Sequence, residues 1–192
     1  MSDTASSRQP LAGERPVPLA WVAGTIALTL VLMVGWLRAM DRPWVCPCGS
    51  IEFWQGALTA AENSQQFSDW YSALHVIFGM ALFGFVHFMK PRWTLGAKLV
   101  VAIASSAAWE AMENTPLLIG MFSSATNAVS YSGDSILNAV GDTLFVALGF
   151  IAAARLPPWV TGLVAIGLEA TIAFAIQDGF VIGTLRLFGV DI

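Results

Sequence analysis

Residues 17–37, VPLAWVAGTIALTLVLMVGWL, hold no charged side chain, and their length decides the fold class. About 20 apolar residues cross the hydrocarbon core of a bilayer as a helix. A cleavable signal peptide has an apolar region of only about 7–15 residues before a small-residue cleavage site. This run is longer and ends in Arg38-Ala39-Met40-Asp41, so it reads as a retained first span over 17–39. Four further apolar stretches follow near residues 70–89, 94–113, 135–154 and 158–178. The turns Lys90-Pro91-Arg92-Trp93 and Arg155-Leu156-Pro157-Pro158-Trp159 separate two pairs of them, because Pro stops a helix and Trp favours the membrane–water interface. The expected fold is all-α, a polytopic membrane bundle of about five transmembrane helices.

Composition agrees with that reading. Of 192 residues, 56% are hydrophobic and 11% charged, against roughly 25% charged in a soluble domain. The net charge of -4 comes from acids near the spans rather than from a tail, and it argues against a nucleic-acid partner. Residues 1–16 are polar and Pro-containing without helical periodicity, and are expected to form a disordered cytoplasmic tail. Residues 17–192 then form one transmembrane helical domain. Residues 179–192 are too short for a sixth span and are expected to lie along the interface.

Orientation follows from the distribution of Lys and Arg. With the amino terminus in the cytoplasm, Arg8, Arg15, Lys90, Arg92, Lys98 and Arg155 face inward, and Arg38, Arg42 and Arg186 face outward. Connections 40–69 and 114–134 then face outward, away from the cytoplasm. The first carries Cys46-Pro47-Cys48, a spacing that fits neither the usual zinc nor the usual redox motif. Either a local disulfide in an oxidising compartment or two thiols is consistent with it.

The functional signal lies in the polar residues of the spans. A charge near the bilayer centre costs at least ~2.5–3.5 kcal/mol, so such residues usually face a protein interior or a wet cavity. Asp69 opens the second span, with His75 deeper and Gly79 on the same face as His75. The third span ends in Trp109-Glu110-Ala111-Met112-Glu113-Asn114-Thr115-Pro116. There Glu110, Glu113 and Asn114 share a face and Pro116 ends the helix. The fourth starts at Ser132-Gly133-Asp134-Ser135, and Asp134, Asn138 and Asp142 recur every four residues, a stripe about 12 Å long. Gly141 and Gly149 suggest tight packing. The fifth adds Glu169, with Gln177 and Asp178 near its outer end.

Three spans thus bring acids to one leaflet beside a single histidine. Acids crowded in low dielectric hold protons that isolated acids would lose, which suits general acid/base chemistry or proton transfer. His75, Glu110 and Asp142 are the candidate catalytic residues. Asp69, Glu113, Asn114, Asp134 and Asn138 are the candidate substrate-binding ones. Carboxylates with an imidazole could equally hold a divalent metal, oxygen ligands favouring Mg or Mn and the imidazole admitting Zn, and the sequence does not choose. The competing structural reading places Asp69, Glu113, Asp134 and Asp178 in water at helix ends and makes the rest interhelical glue worth ~0.6 kcal/mol each.

The strings Arg42-Pro43-Trp44-Val45-Cys46-Pro47-Cys48-Gly49, Glu62-Asn63-Ser64-Gln65, Ser68-Asp69-Trp70-Tyr71, Trp109-Glu110, Glu113-Asn114, Gly133-Asp134-Ser135 and Asp142-Thr143-Leu144-Phe145 resemble uncharacterised protein family 0314. That resemblance covers about residues 40–178 and implies a multi-pass bacterial inner-membrane protein, with no activity attached. A second pattern looks like that of VanZ-like membrane proteins: Asp69 and His75 heading one span, Glu110 or Glu113 ending the next, and Asp134, Asn138 and Gly141 heading a third. This likeness implies a small bundle with an outward polar pocket acting on a lipid, lipoprotein or cell-wall precursor. Membrane lipids and a lipid-linked substrate are therefore the expected partners. Three functions stay open: a membrane-embedded enzyme, a non-catalytic accessory protein that binds an envelope lipid, and an ion- or proton-coupled carrier with Glu169 as a stepping stone. No nucleophile motif, phosphate loop or cofactor fingerprint appears, so reaction type and cofactor are left unassigned.

Overall fold

The computed structural model describes residues 17–59, 61–124, 131–188 and 190. The expected tail over 1–16 lies outside the described residues. Seven helices and no strand occur among those described: α1 (Leu19–Ala39), α2 (Ser72–Met89), α3 (Leu95–Glu113), α4 (Pro116–Ser124), α5 (Ile136–Arg155), α6 (Pro158–Ile176) and α7 (Phe180–Leu187). Five of them, α1, α2, α3, α5 and α6, are long and apolar enough to cross a membrane.

Capping chemistry explains where the helices begin. Thr94 Oγ1 accepts the Ala97 N–H at 3.2 Å to start α3, and Ser135 Oγ accepts the Asn138 N–H at 3.1 Å to start α5. Each satisfies a donor that has no partner within its own helix. Asp134 therefore precedes α5, and the expected helical stripe contains only Asn138 and Asp142. Pro116 does more than end α3. It is the first residue of α4, a position where its fixed φ and missing N–H are favourable.

At the centre of the bundle α5 packs along α2, and α3 contacts both. Glycines set the separation between α2 and α5. A Cβ on Gly79 would lie 2.0 Å from the Val146 carbonyl oxygen, and one on Gly149 would lie 2.0 Å from that of Val76. Such contact allows backbone-to-backbone packing of the kind that holds helices together where lipid removes the hydrophobic drive. Helices α1 and α6 flank this centre. Leu28, Val31 and Leu32 of α1 and Leu163, Ile166 and Phe174 of α6 are exposed, an apolar surface that water would disfavour and lipid would not.

The long connection between α1 and α2 covers one end of the bundle. It supplies the acceptors that the first turn of α5 lacks: Ile136 N–H donates to Pro43 O at 2.8 Å and Leu137 N–H to Trp44 O at 3.1 Å. Ser135 adds bonds to Ser64 O through its N–H and to Gln65 O through its Oγ. Cys46 and Cys48 form a disulfide within the same segment. At the opposite end, buried Lys98 lies 3.2 Å from both His87 Nδ1 and Pro91 O.

Candidate functional site

Asp69 begins the site by organising the start of α2. Its Oδ1 accepts the N–H groups of Tyr71 at 2.8 Å and Ser72 at 3.3 Å, while its own N–H donates to Ser72 Oγ at 3.1 Å. Ser72 Oγ then donates to Asp142 Oδ1 at 2.9 Å across to α5. One turn further along α2, His75 enters between two acids. Its Nδ1 stands 3.7 Å from Glu110 Oε1 on α3, and its Nε2 stands 3.6 Å from Asp142 Oδ2 on α5. Glu110 is wholly buried, and neither of its carboxylate oxygens has a hydrogen-bond partner.

A second acidic group adjoins the first. Glu110, Glu113 and Asp134 also bring one oxygen each within 4.8 Å of one another, but Asp134 is held by protein donors. Asn114 Nδ2 donates to Asp134 Oδ2 at 2.6 Å, and Asn114 Oδ1 accepts the Asp134 N–H at 2.8 Å. Tyr131 O–H donates to Asp134 Oδ1 at 2.9 Å, and Arg42 Nε–H to Asp134 O at 3.0 Å. Gly133 makes this approach feasible: its φ is +85° and a Cβ there would lie 2.7 Å from the Arg42 guanidinium.

Burial dominates the electrostatics of the groups outside the spans. It raises the Asp69 carboxyl to about 6, against the lowering effect of the Tyr71 N–H, with the Asp134 charge adding to the rise. Asp134 is likewise raised by burial to about 6, although the bonds from Asn114 and Tyr131 and the Arg42 charge pull it down. Burial also pushes the Tyr131 phenol upward, followed by the Asp134 charge, so it stays a neutral donor at pH 7.

His75, Asp142, Glu113 and Asp134 share the wall of a cavity of about 310 Å³ with apolar Leu74, Phe78, Phe122 and Phe180. Of the expected residues, these four reach the cavity and Glu110 lies directly behind His75. Asp69, Asn114 and Asn138 are buried but do not line it. Asn138 Nδ2 instead donates to Gln66 O at 2.9 Å and anchors the long connection on α5. The burial of Asp69 and Asp134 removes the reading that placed them in water at helix ends. Both oxygens of Glu169 accept backbone N–H groups of Phe180 and Val181 at the start of α7, so that carboxylate serves as a helix cap.

Sequence reasoning did not find Ser72, Tyr131, Arg42 or Arg186. Ser72 was legible in principle, since it lies three residues from both Asp69 and His75 and so near their face of the helix. Arg186 is brought back to the cavity wall by α7, with a guanidinium nitrogen 3.9 Å from Asp178 Oδ1, a placement no local spacing encodes.

Fold and site together define a multi-pass membrane helical bundle with a buried imidazole–carboxylate group beside a cavity at one end. The family described as "Protein of unknown function (DUF2585)" matches residues 37–190. Curated relatives are each called a UPF0314 protein. That of Sphingopyxis alaskensis is 42% identical over 161 residues, 84% of this chain and 86% of the relative. That of Paracoccus denitrificans is 38% identical over 160 residues, 83% of each chain, and that of Novosphingobium aromaticivorans is 39% identical over 171 residues, 84% of this chain and 83% of the relative. The chain belongs to this family of unknown function, in agreement with the resemblance read from its motifs. No solved structure matches it.

Proposed function

We propose that this chain binds an envelope lipid or lipid-linked precursor in the bacterial inner membrane and acts on its headgroup by general acid–base chemistry. The observation that carries the reading is the imidazole of His75, with a carboxylate facing each ring nitrogen, on the wall of a cavity that is partly apolar and partly acidic. An amphiphile needs such a lining: the apolar side chains accept the chain region and the polar ones its head. In this proposal His75 is the general base, and Glu110 and Asp142 orient it and stabilise the charge it gains. Glu113 and Asp134 contact the headgroup. Asp69, Asn114 and Asn138 support binding by holding the helix starts and Asp134 in place.

The same reading puts the amino terminus in the cytoplasm and the cavity toward the outer leaflet. The excess of Lys and Arg on the opposite loops supports it, and a disulfide in the covering segment suits an oxidising compartment. The carrier reading is less well supported, because Glu169 is occupied at the start of α7.

The test is lipid and cell-wall profiling of a deletion strain complemented with wild type, His75→Ala or Asp142→Asn, with protein levels checked by blot. Restoration of a changed headgroup or acyl pattern by wild type alone is the expected result. A pattern restored in part by His75→Ala would mean binding without turnover, and a deletion strain indistinguishable from its parent would overturn the proposal.

A further inference from the structure

Glu110 presents an unusual electrostatic problem. Its carboxyl group is wholly buried with neither oxygen hydrogen-bonded, whereas buried polar groups elsewhere in proteins are hydrogen-bonded and buried charges are paired or coordinate metals. Among the described residues no lysine or arginine forms an ion pair with Glu110 or Asp142. The distances from His75 to these acids, 3.7 and 3.6 Å, are too long for hydrogen bonds. The two distances run to different ring nitrogens, of which an ion takes only one, but one nitrogen of His75 and one oxygen of each acid lie within 4.8 Å of one another, close to the roughly 3–4 Å that bonds of about 2.0–2.2 Å leave between the ligands of a metal.

We propose that His75, Glu110 and Asp142 bind a single divalent cation of the Mn²⁺–Zn²⁺ class at the inner wall of the cavity. Each residue comes from a different helix and offers one ligand atom, and these atoms lie within 4.8 Å of one another. Two carboxylates and a neutral imidazole balance a dication, and one nitrogen among oxygens selects against a purely oxygen-bound Ca²⁺ or Mg²⁺. Three protein ligands leave positions open toward the cavity, as in catalytic rather than structural sites. Ser72 Oγ fixes Asp142 through Oδ1 and leaves Oδ2 turned to the imidazole, the outer support that metal-binding carboxylates usually have. The adjoining group of Glu110, Glu113 and Asp134 suits this class of ion less well, because it offers no nitrogen ligand and each oxygen of Asp134 already accepts a bond, from Asn114 or Tyr131.

This inference rests on the reading of the same cluster as the chemical centre and changes one role in it, since with an ion bound His75 is a ligand and the ion replaces the imidazole as the activating group; its test measures metal and not lipid. Full-length protein purified in detergent and stripped with chelator is titrated with Mn²⁺ and, separately, Zn²⁺. One equivalent is expected to bind, with Glu110→Gln and Asp142→Asn each weakening it by at least about tenfold and Glu113→Gln leaving it unchanged. Should the ligand variants not fold, spin-echo spectroscopy of Mn²⁺-loaded protein reads a directly bound imidazole nitrogen. The chain has two histidines, and His87 lies beside Lys98 at the other end, so a nitrogen signal that persists in His87→Asn belongs to His75. Absence of stoichiometric binding, binding indifferent to Glu110→Gln, or loss of the nitrogen signal in His87→Asn would overturn the inference. A metal-free protein whose deletion still alters lipids would leave the proposed function standing, and a metal-binding protein without a lipid phenotype would remove it.

Discussion

Asn114 and Asp134 hold each other through two hydrogen bonds, one to a carboxylate oxygen and one from a backbone N–H. Removing the amide leaves a buried acid with one fewer donor and a backbone N–H without its partner, a loss of about 1–3 kcal/mol. Asn114→Ala is therefore expected to lower thermal stability in detergent, whereas Ser123→Ala on exposed α4 is not. A second prediction concerns pH. The Asp69 and Asp134 carboxyls are raised to about 6 in the folded chain, against about 3.9 when unfolded. Between those values the folded state holds more protons than the unfolded one, so stability from this source is full below about pH 4 and falls as pH rises through 6. The melting temperature should be higher at pH 5 than at pH 8. Asp69→Asn keeps an oxygen for the Tyr71 and Ser72 N–H groups while removing the titration, so it should flatten that slope; an unchanged slope would assign the effect elsewhere.

At the scale of elements, the α2–α5 contact determines where His75 and Asp142 meet. Gly79 and Gly149 have no space for a methyl group, because each faces a carbonyl oxygen of the other helix. Gly79→Ala and Gly149→Ala must push the helices apart, and each is expected to destabilise by about 1–3 kcal/mol, the usual effect of overpacking. At Gly24 in α1 and Gly162 in α6 an added methyl group would meet nothing within 4 Å, so alanine there should be neutral or stabilise by roughly 0.5–1 kcal/mol. Unfolding in mixed micelles checks the contrast. Equal effects at all four positions would mean that helix propensity, not close approach, governs these glycines.

Across the whole molecule, the segment between α1 and α2 closes over the end of the bundle where the site lies. Its contacts to the start of α5, through Pro43, Trp44, Ser64, Gln65 and Gln66, tie the covering segment to the helix that carries Asp142. The proposed orientation puts that cover outside the cytoplasm. Alkaline phosphatase fused after residue 50 or residue 120 should be active in cells, and a fusion after Lys90 inactive. The reverse pattern would turn the cavity toward the cytoplasm and remove the outer leaflet as the source of its ligand.

The number and placement of the spans were legible in the sequence alone, because about 20 uncharged residues have one stable solution in hydrocarbon and Pro, Trp and basic residues mark its ends. Local spacing likewise exposed His75, Glu110 and Asp142, since acids and imidazole inside apolar runs are conspicuous. What spacing could not carry was the partnership among helices. Only the folded arrangement put Glu110 and Asp142 on opposite nitrogens of His75, and only it assigned Asn138 to the covering segment and Glu169 to the start of α7. A helical period specifies which residues share a face, but the rotation and depth of one helix against the next depend on close contacts such as those at Gly79 and Gly149, which arise between segments distant along the chain.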